Sequence, residues 1–218
     1  MDSTELLDAF RDEMFDTVEP YLWSDAFIYR AIDDAQKMFC RLTEGIEDAR
    51  TADITVLPIE AGTDWYPLSP LILKPRFAHR ADNGRPVRIV GAELCDKLGI
   101  QFDGSTGPVT ALVTGFEKGA VRVWPMPNET VDLNLSVFRL PLEPITDAGG
   151  ETLEIDEQHH WHLLNWVKHL AYLKPDPETL NRKTAGEYEQ AFRAYCAQAR
   201  VEQGRVRHPA GAVAYGGL

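Results

Sequence analysis

An α+β fold is predicted for this 218-residue chain. It would combine a helical bundle from the N- and C-terminal helices with an inserted, mostly antiparallel β domain. Three observations predict it. Apolar residues recur at helical spacing near both ends of the chain. The middle is rich in Pro and Gly and carries short alternating runs. The links between those runs are too short for parallel crossovers. Runs of one element type followed by runs of the other indicate α+β rather than a wound parallel sheet. The expected divisions are N-terminal helices over 1–50, a β-rich insertion over 51–150, C-terminal helices over 151–204 and an extended tail over 205–218.

Leu6, Leu7, Phe10 and Met14 fall at helical spacing and predict a first short helix. Pro20 interrupts it, and "VEPYLWSD" reads as a link. Ser24 is a good N-cap for a second helix, with Asp25 in its first turn. Phe27, Ala31, Ala35, Met38 and Leu42 form its apolar stripe, which Ile28, Ile32 and Phe39 widen. Asp33 and Asp34 fall off that face, and Gly45 is a plausible C-cap.

About six strands are expected next. "ADITVLPI" alternates around Ile54 and Val56, and "LSPLILKPRFAHR" is a second run. Asn83-Gly84 is a strong two-residue turn signal before "PVRIVG". "GAELCDKLG" reads as a short helix. "GPVTALVTGFEKGAVRVWPMP" reads as a hairpin turning near Glu117-Lys118-Gly119. In "ETVDLNLSVFRLPLEPI", Val131, Leu133, Leu135 and Val137 share one side. A helix then follows Asp156, a candidate N-cap, and stops at Pro175. Trp161, Leu164, Val167 and Ala171 mark its buried side. A last strong helix places Tyr188, Ala191, Phe192, Tyr195 and Ala199 on one stripe, with Cys196 beside it.

Composition narrows the function. No apolar run reaches the roughly 20 residues that span a bilayer, and the acidic, polar N-terminus does not read as a cleaved signal. Cys40, Cys95 and Cys196 are scattered, odd in number and without CxxC spacing, which suits reduced, mostly buried thiols. A net charge of −12 argues against tight phosphate binding, because such affinity comes from clustered Lys and Arg.

The richest chemical signal is "HHWH". His159, His160 and His162 crowd one helical turn and His169 lies two turns on. His159, His162 and His169 could share a face, the basis for an alternative reading as a metal-dependent hydrolase. No HExxH accompanies them, so capping or interface roles compete. Adjacent acids such as Asp33-Asp34 and Glu47-Asp48 diverge around a helix and read as solvated faces. No GxSxG elbow, phosphate cradle or cofactor motif occurs; "GFEKGA" and "GSTGP" are more simply turns. Trp65, Tyr66 and Trp124 lie beside prolines in the β region. An exposed pair of such rings could grip sugars, a carbohydrate-binding alternative set against core packing or subunit contact. The segment from Pro209 to Leu218 has no charged side chain, three glycines and one aromatic, Tyr215. It could remain disordered, or dock in a partner's groove with Tyr215 as anchor.

"YLWSDAFIYRAIDDAQKMFCR" resembles the opening helix of the head-to-tail adaptor (connector, or head-completion) proteins of tailed bacteriophages. "LNWVKHLAYLKPDPETLNRKTAGEYEQAFRAYCAQARVE" is similar to that family's C-terminal helical pair. "RVRHPAGAVAYGGL" is similar to its tail. The resemblance covers the two ends of the chain and fits the β insertion less specifically. It implies a structural virion protein without catalysis or cofactor, made in the bacterial cytoplasm and placed in the virion neck. It implies a homo-oligomeric ring, usually a dodecamer, that joins the portal to the tail or nozzle and extends the channel for double-stranded DNA in packaging and ejection. Carried over, Arg205, Arg207, Pro209, Val213, Tyr215, Gly216, Gly217 and Leu218 form a portal-binding arm. Trp65, Tyr66 and Trp124 become tail contacts, and the faces bearing Glu187, Arg193 and Glu202 meet neighbouring subunits.

Overall fold

The computed structural model describes residues 1–207. The chain is mixed α/β and forms two compact units, one from Met1–Glu44 together with the chain from Pro141 on, the other from Gly45–Leu140. The helices are α1 (Ser3–Met14), α2 (Asp25–Thr43), α3 (Ala52–Thr55), α4 (His160–Leu173) and α5 (Arg182–Arg207).

In the first unit, α1 opens with a reciprocal cap. Glu5 N donates to Asp2 Oδ1 and Asp2 N to Glu5 Oε2, both at 2.9 Å. Leu6, Leu7 and Phe10 are buried as the periodicity predicts. A buried guanidinium, Arg11, then ties α1 to α2. It donates to Asp16 Oδ2 at 2.8 Å, to the Trp23 carbonyl at 3.1 Å and to the Asp25 carboxylate. The other oxygen of Asp16 accepts from Leu22 N at 2.8 Å. Residues expected to be a plain link are therefore folded around one charge.

Ser24 does occupy the N-cap of α2, although its side chain makes no capping bond. The buried face centres on Ile28, Ile32, Ala35 and Phe39, and the expected stripe of Phe27, Met38 and Leu42 lies at its half-buried edges. Asp33 and Asp34 are not on a solvated face. Asp33 accepts from Ile145 N at 3.1 Å, and Asp34 accepts the Trp166 indole N–H at 2.7 Å. The left-handed cap of α2 falls on Glu44, with φ 81, and Gly45 follows with φ 89.

Asp156 stands at the N-cap of a short 3-10 turn, Glu157–His159, that leads into α4. Leu163, Leu164, Trp166, Val167 and Ala171 are buried, while Trp161, expected on the buried side, is exposed. Against α4, α5 buries Ala185, Phe192, Cys196 and Ala199; Ala191 is exposed. Trp166 meets Phe192 at 5.2 Å, and the Tyr172 and Tyr188 rings stack at 5.9 Å. Fully burying each such side chain contributes about 1.5–3 kcal/mol. Since α5 runs through Arg207, the first three residues of the expected extended tail are helical.

The four histidines are part of this packing. His159 donates or accepts at the Tyr195 hydroxyl over 2.8 Å, and His162 stacks on the Tyr195 ring at 3.5 Å. His160 Nε2 pairs with the Ile155 carbonyl at 2.8 Å, and His169 Nδ1 with the Ala185 carbonyl at 2.9 Å.

In the second unit the strands are β1 (Ile46–Asp48), β2 (Val56–Ile59), β3 (Trp65–Pro67), β4 (Ile72–Arg80), β5 (Pro86–Gly91), β6 (Thr106–Gly107), β7 (Ala111–Thr114), β8 (Ala120–Trp124), β9 (Met126–Pro127) and β10 (Val131–Arg139). Eight form one sheet, in the order β1-β10-β4-β5-β7-β8-β3, with β2 also on β10. All its pairs are antiparallel except β5 with β7. A separate parallel pair joins β6 and β9. More strands form than the six or so expected, because two- and three-residue strands are too short to show alternation. Val131, Leu133, Leu135 and Val137 are all buried, as expected for one face of β10. Asn83-Gly84 turns β4 into β5, with Gly84 at φ 68. "GAELCDKLG" forms two 3-10 turns instead of one helix.

"ADIT" is a helical turn, not a strand. Asp48 accepts from Arg50 N at 2.8 Å, Thr51 N at 3.1 Å and the Thr51 hydroxyl at 2.7 Å, and the Thr51 carbonyl then starts α3. β2 consequently buries Leu57 and Ile59 and leaves Val56 exposed. Asp48, expected on a solvated face beside Glu47, is buried against Arg139, with Nε to Oδ2 at 2.6 Å. Gly45 permits this approach, since a Cβ there would lie 2.6 Å from the Arg139 carbonyl. Burial acts to raise the Asp48 pKa, but the Arg50 amide, Thr51 hydroxyl and Arg139 outweigh it and hold the carboxyl well below its usual range.

Two predictions follow from these contacts. Asp48→Ala leaves Arg139 buried without its carboxylate and unties α3; unfolding measured by urea titration should show a loss of about 3–5 kcal/mol. Burial lowers the pKa of both His159 and His162 below 6.5. The unfolded chain therefore takes up protons first as pH falls. Stability is complete above pH 6.5 and declines below it, until the folded rings titrate too. His159→Gln keeps a partner for Tyr195 and should flatten this decline between pH 7 and 5; an unchanged slope would count against it.

Candidate interaction surfaces

The β unit carries an aromatic patch built on β3 and β8. Trp65 pairs with Arg122 across the two strands, and Arg122 and Trp124 share a face because side chains alternate. Val121 and Val123 point the other way into the core. The Arg122 guanidinium lies 3.8 Å from the Phe102 ring centre and 5.5 Å from that of Trp65. Its Nε donates to Asp64 Oδ2 at 2.7 Å, which fixes the guanidinium between the rings. Phe116, in the β7–β8 turn, is exposed and meets Trp65 edge-on at 6.1 Å and Phe102 at 5.6 Å.

Of the three aromatic residues expected at this surface, Trp65 is exposed and Trp124 half-buried, its indole donating to the Gln101 carbonyl at 2.8 Å. Tyr66 is not at the surface. It is buried, and its hydroxyl pairs with Glu60 N at 2.9 Å, the Glu60 carbonyl at 3.0 Å and the Thr63 carbonyl at 2.7 Å. Alternation along β3 alone puts it on the face opposite Trp65. Sequence reasoning missed Phe102, Phe116 and Arg122. The signal available was the alternation of Arg122 with Trp124 on β8; Phe102 and Phe116 come from loops and carry no such signal.

In the helical unit, the last turns of α5 are open to solvent, with Val201, Arg205 and Val206 exposed. Arg200 reaches Glu44 at 3.1 Å. Glu187, Arg193 and Glu202 are exposed along the same helix, and Arg193 pairs with Glu189 one turn away at 2.8 Å. Arg207 ends the helix. Pro209, Val213, Tyr215, Gly216, Gly217 and Leu218 lie outside the described residues.

The geometry gives the histidine cluster a packing role. His159 and His162 converge on Tyr195, and His169 turns to the Ala185 carbonyl. Among the described residues, no group of three or more His, Cys, Asp and Glu is placed to hold a metal ion. The three cysteines are buried. Burial pushes the Cys196 thiol up to about 12 and also raises Cys95, so neither is a ready thiolate nucleophile. No described helix is long and apolar enough to cross a membrane. These surfaces can bind by shape, aromatic contact and charge.

No curated protein matches the chain. The SU10 adaptor protein family matches residues 1–213. That match takes in both helical ends and the whole β unit between them. On that extent the chain belongs to the SU10 adaptor protein family, and is a structural adaptor of the phage head-to-tail type that its terminal segments resemble.

Proposed function

We propose that this chain forms a closed ring, a dodecamer, in the virion neck, where it joins the capsid portal to the tail or nozzle and lengthens the DNA channel. The observation that carries this reading is the family match over residues 1–213. In this arrangement the helices from the two chain ends act as one bundle in the ring wall. The exposed faces of α5 bearing Glu187, Arg193 and Glu202 meet adjacent copies. Trp65 and Trp124, with Phe116 beside them, face the tail side.

Charge supports the channel role. With a net charge of −12, the chain repels a duplex and does not bind it sequence-specifically. A lumen lined by such a protein lets DNA pass in packaging and in ejection, because no row of Lys and Arg displaces counterions and holds the phosphates. The segment from Pro209 to Leu218, with Arg205 and Arg207 before it, serves as the portal-binding arm. Its apolar Val213, Tyr215 and Leu218 supply anchors, and its glycines allow close backbone approach.

Deleting Pro209 to Leu218 removes no described part of either unit. The shortened protein should keep the wild-type unfolding midpoint and lose portal capture in a pull-down; capture at the wild-type level would reject the arm. Electron microscopy of the full chain mixed with portal should show an added ring, and a bare portal at saturating protein would reject the adaptor ring.

A further inference from the structure

The C-terminal end of α1 carries a side chain that the described fold leaves uncovered. Phe15 is 92% exposed, on a left-handed backbone with φ 55. Bulky residues rarely adopt that conformation, and glycine adopts it freely. The backbone is fixed there: Asp16 N donates to the Arg11 carbonyl at 2.9 Å, and the Asp16 carboxylate is clamped by Arg11. Three residues on, Val18 is 77% exposed. Asp12 and Glu19 flank the pair. Both are exposed, and neither has an ion-pair partner among the described residues. The result is an apolar knob with a negative rim.

Elsewhere in the same unit, α2 and α4 leave a groove of about 400 Å³. Phe27, Leu170 and Leu173 supply its apolar lining, with Leu173 41% exposed. Arg30 and Lys174 border it. Arg30 Nε bonds only its own helix, at the Ala26 carbonyl over 2.9 Å. Lys174 Nζ lies 5.7 Å from the Phe27 ring centre and reaches the Leu22 carbonyl only at 3.5 Å. Neither cation has a carboxylate partner among the described residues, in a chain with a surplus of twelve acids.

We propose that Phe15 and Val18 of one copy seat in the α2–α4 groove of a second copy, with Asp12 and Glu19 against its Arg30 and Lys174. The two surfaces match in polarity and are opposite in charge, and both halves of the match lie on this one chain. Each copy gives a knob and receives one. Such a contact is heterologous, and repeated it builds a ring if the rotation closes. The inference names a contact for the ring proposed above and rests on that reading. The conformation of Phe15 is a local cost that the isolated fold does not need, and an intermolecular role gives it a reason.

Phe15→Gly separates assembly from folding, because it removes the ring and relieves the left-handed strain. The unfolding midpoint should be unchanged or raised, while self-association in sedimentation velocity weakens about 10- to 100-fold. Lys174→Glu should also weaken assembly, and adding Glu19→Lys to the same chain should restore it. Phe15→Cys mixed with Leu173→Cys should form a disulfide-linked dimer on mild oxidation that neither variant forms alone; the native cysteines are buried and can remain. If the wild type forms rings but Phe15→Gly assembles equally well, this contact is wrong and the ring reading stands. Loss of assembly without the mixed cross-link also overturns it, since Phe15 would then seat elsewhere. A wild type that stays monomeric at every concentration, with and without portal, removes the ring and this contact together.

Discussion

The helical unit depends on packing between chain segments that are far apart in sequence. The Trp166 indole on α4 donates to Asp34 on α2, and Phe39 of α2 lies 4.7 Å from His159. Ile28, Ile32 and Phe39 cannot be covered by α1 alone, which offers only Leu6, Leu7 and Phe10 as its buried face. The covering residues come from α4 and α5, more than a hundred residues later. The loop-closure cost of such a separation rises only slowly with length. A β unit with its own core can therefore occupy the interval, provided that it brings its own stability. Asp48 and Arg139 supply part of that, joining the first and last strands of the β unit through one buried pair.

Element types could be read from the sequence wherever one face repeats over several turns or pleats. Leu6, Leu7 and Phe10, the alternation of β10 from Val131 to Val137, and Phe192 with Cys196 and Ala199 are such cases. What failed to show was set by single side chains acting at a distance. "ADIT" has the apolar pattern of a strand, yet three hydrogen bonds to Asp48 wind it into a turn. Asp33 and Asp34 have the spacing of a wet face, but a backbone amide and an indole over a hundred residues away claim them. Arg11 turned an apparent link into an ordered loop by the same means.

The surfaces were less legible than the cores. Trp65 was found as an exposed aromatic, but alternation on a three-residue strand buries its neighbour Tyr66. The remainder of the patch, Phe102 and Phe116, is contributed by loops whose positions only the tertiary fold defines. Four histidines close together looked like chemistry because histidine is a ligand and a base. Here His159 and His162 engage Tyr195, His160 pairs with the carbonyl of Ile155 and His169 with the carbonyl of Ala185. Stacking and hydrogen bonding at a helix–helix contact use the same side chain for a different reason.

The charge pattern links the two units to the assembly role. Each buried cation is matched locally by carboxylates: Arg11 by Asp16 and Asp25, Lys168 by Glu13, Arg80 by Asp82 and Glu129, Arg139 by Asp48. A buried cation without its partner would cost several kcal/mol, so those carboxylates are committed to the fold. Among the described residues four cations but only two carboxylates, Asp16 and Asp48, are buried, so the surplus of acid lies on the surface. Arg30 and Lys174 have no carboxylate partner among the described residues, and they sit beside the exposed apolar side chain of Leu173. An acidic exterior is suited to let a polyanion pass, whereas an isolated basic and apolar groove is suited to hold another acidic protein surface. In the proposed ring the two demands, repelling DNA and holding neighbouring copies, would fall on different residues.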